Sequence, residues 1–163
     1  MYPDDDEMIE SLKNHVDTIR RETQCNNKEI AIISFEGKMF QNEIIDKIRQ
    51  VINASVYVLN ERLSLDKNLK SCPKDQVVLS NPYNINGLEF AGVILIGVDD
   101  GRVPQTRNVG DVSENYIKFI AFNQLYLSAS RAKYRLIILG NEVHGISPCL
   151  HYAINCNCLE TDL

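Results

Sequence analysis

Between Asp4 and about Arg21, the apolar residues Met8, Ile9, Leu12, Val16 and Ile19 recur at three- and four-residue intervals, which makes them one face of a helix. Acidic residues Asp4 to Glu7 stand at its start and Arg20 and Arg21 at its end, the order of charge that a helix dipole favours. Residues 24–28 break the pattern with polar side chains. Residues 29–34 (EIAIIS) are then a short, continuous apolar run rich in β-branched residues, as in a strand covered on both faces. After a turn at Glu36-Gly37-Lys38, residues 40–52 return to helical spacing through Ile44, Ile45, Ile48 and Val51.

The second half repeats the alternation. Residues 56–59, 76–80 (QVVLS) and 93–98 (VILIGV) read as strands, and residues 99–110, with Gly101, Pro104 and Gly110, read as a loop. Asp111 followed by Glu114 has the spacing of a capping box, and predicts a helix to about Ala129 with Ile117, Ala121, Leu125 and Ala129 along one side. Residues 135–139 (RLIIL) form the last strand, ended by Gly140, and Ser147-Pro148 has the form of an N-cap with proline at the first helical position. Strands alternating with helices predict an α/β domain with a mainly parallel sheet.

Composition narrows the function classes. The 163 residues suffice for one domain with a substantial core. No apolar run is long enough to span a bilayer, and the acidic start cannot serve as a secretory leader, so a cytoplasmic protein without membrane contact is expected. The five cysteines are odd in number and lack framework spacing, which fits a reducing compartment. Cys149, His151, Cys156 and Cys158 do not have the spacing of a structural zinc site, so no metal site is expected. A net charge of −5 argues against a broadly basic nucleic-acid binder while leaving room for a local groove.

Two segments carry candidate chemistry. One is Asn86-Gly87-Leu88-Glu89-Phe90, followed by an apolar strand and a loop with Gly97, Gly101 and Pro104; the other is Leu125 to Ala132 (LYLSASRA), leading into the last strand. Their order and spacing over residues 29–139 resemble the UvrD/Rep-type superfamily 1 DNA helicases, which carry a GLEF turn, a G-x-x-x-G-x-x-P loop and a Y-V-A-x-T-R-A helix end. The resemblance implies the C-terminal, RecA-like motor domain of such an enzyme, a three-layer fold of the P-loop NTPase type over residues 1–145, with a C-terminal helix and tail over 146–163. It implies ATP with magnesium as cofactor, and single-stranded or duplex-junction DNA as partner.

The same resemblance implies roles for individual residues. Arg131 matches the arginine that acts on the ATP phosphates, where a guanidinium stabilises charge developing in phosphoryl transfer. Glu89 matches the glutamate that contacts the nucleotide sugar, with Gly87 supplying a turn of positive φ or close approach. Asn81, Tyr83 and Asn86 occupy positions that face nucleic acid or nucleotide, where relatives carry threonine, histidine and lysine. Phe90 and Tyr126 are expected to pack, and Asp99 and Asp100 to form a turn. Phe35 stands where many relatives place a second phosphate-binding arginine, with Lys38 the nearby substitute, and Phe122 and Asn123 replace a pair of arginines.

The chain contains no G-x-x-x-x-G-K-[ST] loop to cradle phosphates. The domain is therefore expected to complete a split site with the N-terminal motor domain of the same polypeptide, and to be inactive alone. The lost cationic positions also fit a second reading, a non-catalytic RecA-like interaction module derived from a helicase.

Overall fold

The computed structural model describes residues 1–59, 72–105 and 113–160. Its first helix starts where the charge pattern places it. The Asp4 carboxylate accepts the Glu7 amide at 2.8 Å, satisfying one of the donors that a helix start leaves unpaired. Helix α1 (Asp5–Thr23) buries all five predicted apolar residues and ends at Gln24 in the left-handed region. Strand β1 (Ile30–Ser34) is buried at every position. A 3-10 turn, Gly37–Phe40, precedes α2 (Asn42–Ile52), so the regular helix begins two residues after the predicted start.

Strands β2 (Ser55–Val58), β3 (Gln76–Ser80), β4 (Phe90–Ile96) and β5 (Ala132–Leu139) complete a five-stranded sheet in the order β2-β3-β1-β4-β5. All four pairings are parallel, so the mainly parallel expectation holds without an antiparallel exception. α1 and α2 cover one face, packing on Ile30, Ile32, Leu79, Ile94 and Ile96. Helix α3 (Glu114–Ala129) covers the other with Ala121 and Leu125, against Ile33, Val93 and Leu95. Side chains from successive residues of one strand therefore enter different cores, which is why β1 and β4 read as unbroken apolar runs. The result is the three-layer α/β domain of the RecA-like type.

Several boundaries moved. β4 starts at Phe90 rather than Val93, because the Phe90 amide donates to the Arg131 carbonyl at 2.9 Å and extends the ladder towards the preceding turn. β5 starts at Ala132 rather than Arg135, paired with Phe90 across an irregularity before Gly92. As the edge strand it leaves Lys133, Tyr134 and Arg135 exposed, so its first half has no apolar signature. α3 begins at Glu114 with Ser113 flanking it, and the proposed cap Asp111 lies outside the described residues. Downstream, Ser147 accepts the Cys149 amide at 3.2 Å and opens the 3-10 turn Pro148–Leu150 as expected; helix α4 (His151–Asn155) follows. No helix among the described residues is long and apolar enough to cross a membrane.

Candidate functional site

The strands of the parallel sheet share an amino end and a carboxyl end, here its two edges, and the motif residues divide between them. Glu89 immediately precedes β4 and Arg131 immediately precedes β5, so both lie at the amino edge. The two motif segments are fastened together there. Besides the backbone bond from Phe90 to Arg131, the Arg131 guanidinium donates through Nη1 to the Leu88 carbonyl at 3.3 Å. Its Nε donates to the Leu127 carbonyl at 3.0 Å, and Nη2 to the Ser130 hydroxyl at 3.3 Å. These contacts use three of the five guanidinium N–H groups, and none of the partners is a carboxylate. The side chain is half-buried, and its base is packed closely because Ser128 is fully buried where α3 meets the sheet.

Gly87 has φ +78 and nothing within 4 Å of the place a Cβ would take, so positive φ rather than close approach accounts for the glycine. Glu89 is exposed, and its carboxylate pairs with Lys133 Nζ at 2.9 Å. That hydrogen bond, then the Lys133 charge and more weakly Arg131, hold the Glu89 carboxyl below the usual range. Lys133 in turn is raised, first by the same hydrogen bond. The edge thus presents one carboxylate between two cations. Sequence reasoning did not single out Lys133; its position two residues beyond Arg131, in front of an apolar strand, was the available signal.

Asn81, Tyr83 and Asn86 do not form one cluster. They lie along the β3–β4 connection, which leaves the carboxyl end of β3 and returns to the amino end of β4 over the α3 face, anchored by buried Ile85 and Leu88. The Asn81 side chain accepts the Tyr83 and Asn84 amides at 2.9 and 3.1 Å, so it shapes the turn. Asn86 donates weakly to the Tyr83 carbonyl at 3.4 Å, and Tyr83 projects into solvent.

Phe35 and the Gly37–Phe40 turn containing Lys38 follow the carboxyl end of β1. Seven residues of β4 separate the two edges by roughly 20 Å. Within this domain, a cation at position 35 cannot share a phosphate with Arg131. Phe90 is buried as expected, whereas Tyr126 is not a packing residue here: it stands 64% exposed on the outer side of α3. Phe122 is also exposed, and Asn123 is half-buried.

The carboxyl edge holds a different arrangement, centred on Arg102. Its Nη2 donates to Asp5 at 2.8 and 3.0 Å, while Nε lies 3.0 Å from Glu36 and 3.3 Å from Asp99. Asp99 is fully buried and accepts the Asn141 amide at 3.0 Å. It therefore does more than form a turn, although its carbonyl does accept the Val103 amide at 3.0 Å. Burial lifts the Asp99 carboxyl above the ordinary aspartate range, against the Asn141 amide and the Arg102 charge. Crevices of about 300 and 430 Å³ open beside this cluster, the smaller bounded by Phe35, Glu36, Asp100, Arg102 and His144. The Arg102 charge sits among three carboxylates, although among the described residues Arg102 Nη1, Glu36 Oε2 and Asp99 Oδ1 are buried without a hydrogen bond of their own, and the cluster joins the ends of α1, β1, β4 and β5. Among the described residues no three His, Cys, Asp or Glu side chains are grouped to hold a metal. Cys149 is half-buried, with its thiol pushed up by burial, and Cys156 and Cys158 are exposed.

Fold and edge geometry together define a RecA-like α/β domain whose two sequence motifs meet at the amino edge of the sheet. No protein-family model and no curated protein matches the chain. Among solved structures it is similar to the C-terminal domain of a possible DNA helicase from Lactobacillus plantarum WCFS1, with a TM-score of 0.55 and 15% identity, over 91% of this chain and 74% of that one. At that identity the likeness is one of fold, and it does not distinguish the UvrD/Rep type from other helicases.

Proposed function

We propose that this chain is the C-terminal motor domain of an ATP-dependent DNA helicase or translocase of the UvrD/Rep type. The observation that carries the reading is the meeting of Glu89 and Arg131 at one edge, through motifs 35 residues apart in mid-chain that backbone and guanidinium bonds clasp together. The similarity to a solved domain assigned to a possible DNA helicase supports it. The residues present fit a nucleotide. Arg131 retains unused donors and no carboxylate partner among the described residues, Glu89 offers an ionised acceptor for sugar hydroxyls, and Gly87 sets the turn that presents it.

In this reading Arg131 reaches across a cleft to a nucleotide held mainly by an N-terminal motor domain with the phosphate-binding loop. Magnesium-bound ATP supplies the phosphoryl group whose transfer drives the cycle. Arg131 stabilises the charge that builds on the phosphate oxygens. Lys133 pairs with the Glu89 carboxylate, and is displaced in part when a sugar hydroxyl donates to it. The β3–β4 connection, with Tyr83 projecting and Asn81 and Asn86 at either end, forms a path rather than a point, suited to an extended single strand of DNA. A Tyr83 ring would stack on a base, and contact would not depend on a basic surface.

Joined to its N-terminal motor domain, the chain should show DNA-stimulated ATP hydrolysis. Arg131→Ala should lower the turnover by about a thousandfold or more, and Arg131→Lys should recover little, because an ammonium lacks the planar fork. Hydrolysis at the wild-type rate in Arg131→Ala would remove the role assigned to that residue. The alternative, a non-catalytic interaction module, is favoured by one observation: Phe122, where relatives carry arginine, faces solvent on an apolar surface. It predicts no hydrolysis in the joined protein with or without Arg131.

A further inference from the structure

Helix α3 is apolar on the side that faces away from the sheet as well as on the side that packs. Ala121, Leu125 and Ser128 are buried against the core. On the opposite side Tyr116, Phe119, Phe122 and Tyr126 are 54–64% exposed, with Ile120 and Leu127 beside them. At 100° per residue these six side chains lie along the outer side of the 16-residue helix, with the half-buried Asn123 among them. An exposed patch of this kind marks an interaction surface more than an ordinary soluble face.

We infer that this stripe is the interface of a homodimer, in which α3 of one copy packs against α3 of a second about a two-fold axis. Two observations select a second copy as the occupant. First, residues 119–130 contain no charged side chain, and Glu114 and Lys118, which flank Tyr116 at the start of the helix, are paired with each other. Such a face offers nothing for an oppositely charged partner to recognise and nothing to repel itself. A two-fold interface sets the same face against itself, and an uncharged face meets that condition. Second, the area suffices. Aromatic side chains present about 150–250 Å² each, so the exposed parts of the four rings with Ile120 and Leu127 come to about 600 Å² per copy. A pair that covered all of it would bury about 1,200 Å², the lower bound for a specific, stable interface. The stripe is rich in Tyr and Phe, the residue types that concentrate at interface centres.

This inference does not depend on the nucleotide reading, since none of the six residues is assigned to the amino-edge site. Sedimentation velocity on the full chain over a dilution series should show a reversible monomer–dimer equilibrium. Phe119→Asp should weaken it by about thirtyfold or more, as expected for a central anchor. Tyr126→Lys should do the same independently. Both variants should keep the wild-type circular dichroism and, at concentrations where the wild type is monomeric, its urea midpoint, because the replaced side chains are exposed in the monomer. A wild-type chain that remains monomeric throughout would overturn the proposal, and so would a dimer indifferent to both substitutions.

Discussion

Arg131 and Arg102 carry the same guanidinium into opposite surroundings. Arg131 is held by carbonyls and a hydroxyl, which orient it without neutralising it. Arg102 is enclosed by Asp5, Glu36 and Asp99, and its side chain is only 14% exposed. Removing one partner of a buried charge cluster costs more than the pair contributes, because it strands the remaining charge. Arg102→Met should therefore destabilise the fold by about 3 kcal/mol, near the lower end of such losses because Asp5 and Glu36 keep some contact with water. The shift of the urea midpoint at constant slope measures it; a change under half that size would mean that the cluster does not pin the carboxyl edge. Arg131 was singled out in the sequence by the resemblance of residues 125–132 to a helicase motif. Arg102 was invisible as a hub, since its partners Asp5 and Glu36 come from distant parts of the chain and only three-dimensional packing unites them.

At the scale of elements, the legible features were those with one buried face or two. α1 shows its face at helical spacing, and β1 and β4 show continuous apolar runs because both sides are covered. β5 was only half legible, since an edge strand needs no apolar residues where nothing covers it. α3 concealed more. Ile117, Ala121, Leu125 and Ala129 give the inner face, and the aromatics between them blur the pattern without revealing that they point outwards. Gly92 shows how tightly α1 meets the sheet: a Cβ there would collide with Ile19 Cγ2 and lie 2.8 Å from its Cδ1. Ile19 is itself fully buried and can yield only by disturbing its neighbours. Gly92→Ala should consequently cost about 1–3 kcal/mol, the usual penalty of overpacking. Chemical denaturation would expose the error if the variant were as stable as wild type.

The whole molecule separates two tasks by the length of its strands. The carboxyl edge is tied together by the Arg102 cluster, and the amino edge presents Gly87, Glu89, Arg131 and Lys133 outwards. Sequence motifs established which residues belong together but not which edge they occupy, and so could not show that the positions of Phe35 and Lys38 lie across the sheet from Arg131. The resemblance put Asn81, Tyr83 and Asn86 at positions that face nucleic acid or nucleotide, and the fold sets them along the β3–β4 connection. The central claim is that the amino edge faces the nucleotide. Photo-crosslinking of an azido-adenosine triphosphate to the joined motor, with the labelled peptides mapped, tests it most directly. Label should fall on residues 87–89 and 130–133; label confined to residues 35–37 and 100–102, roughly 20 Å away at the opposite edge, would contradict the account.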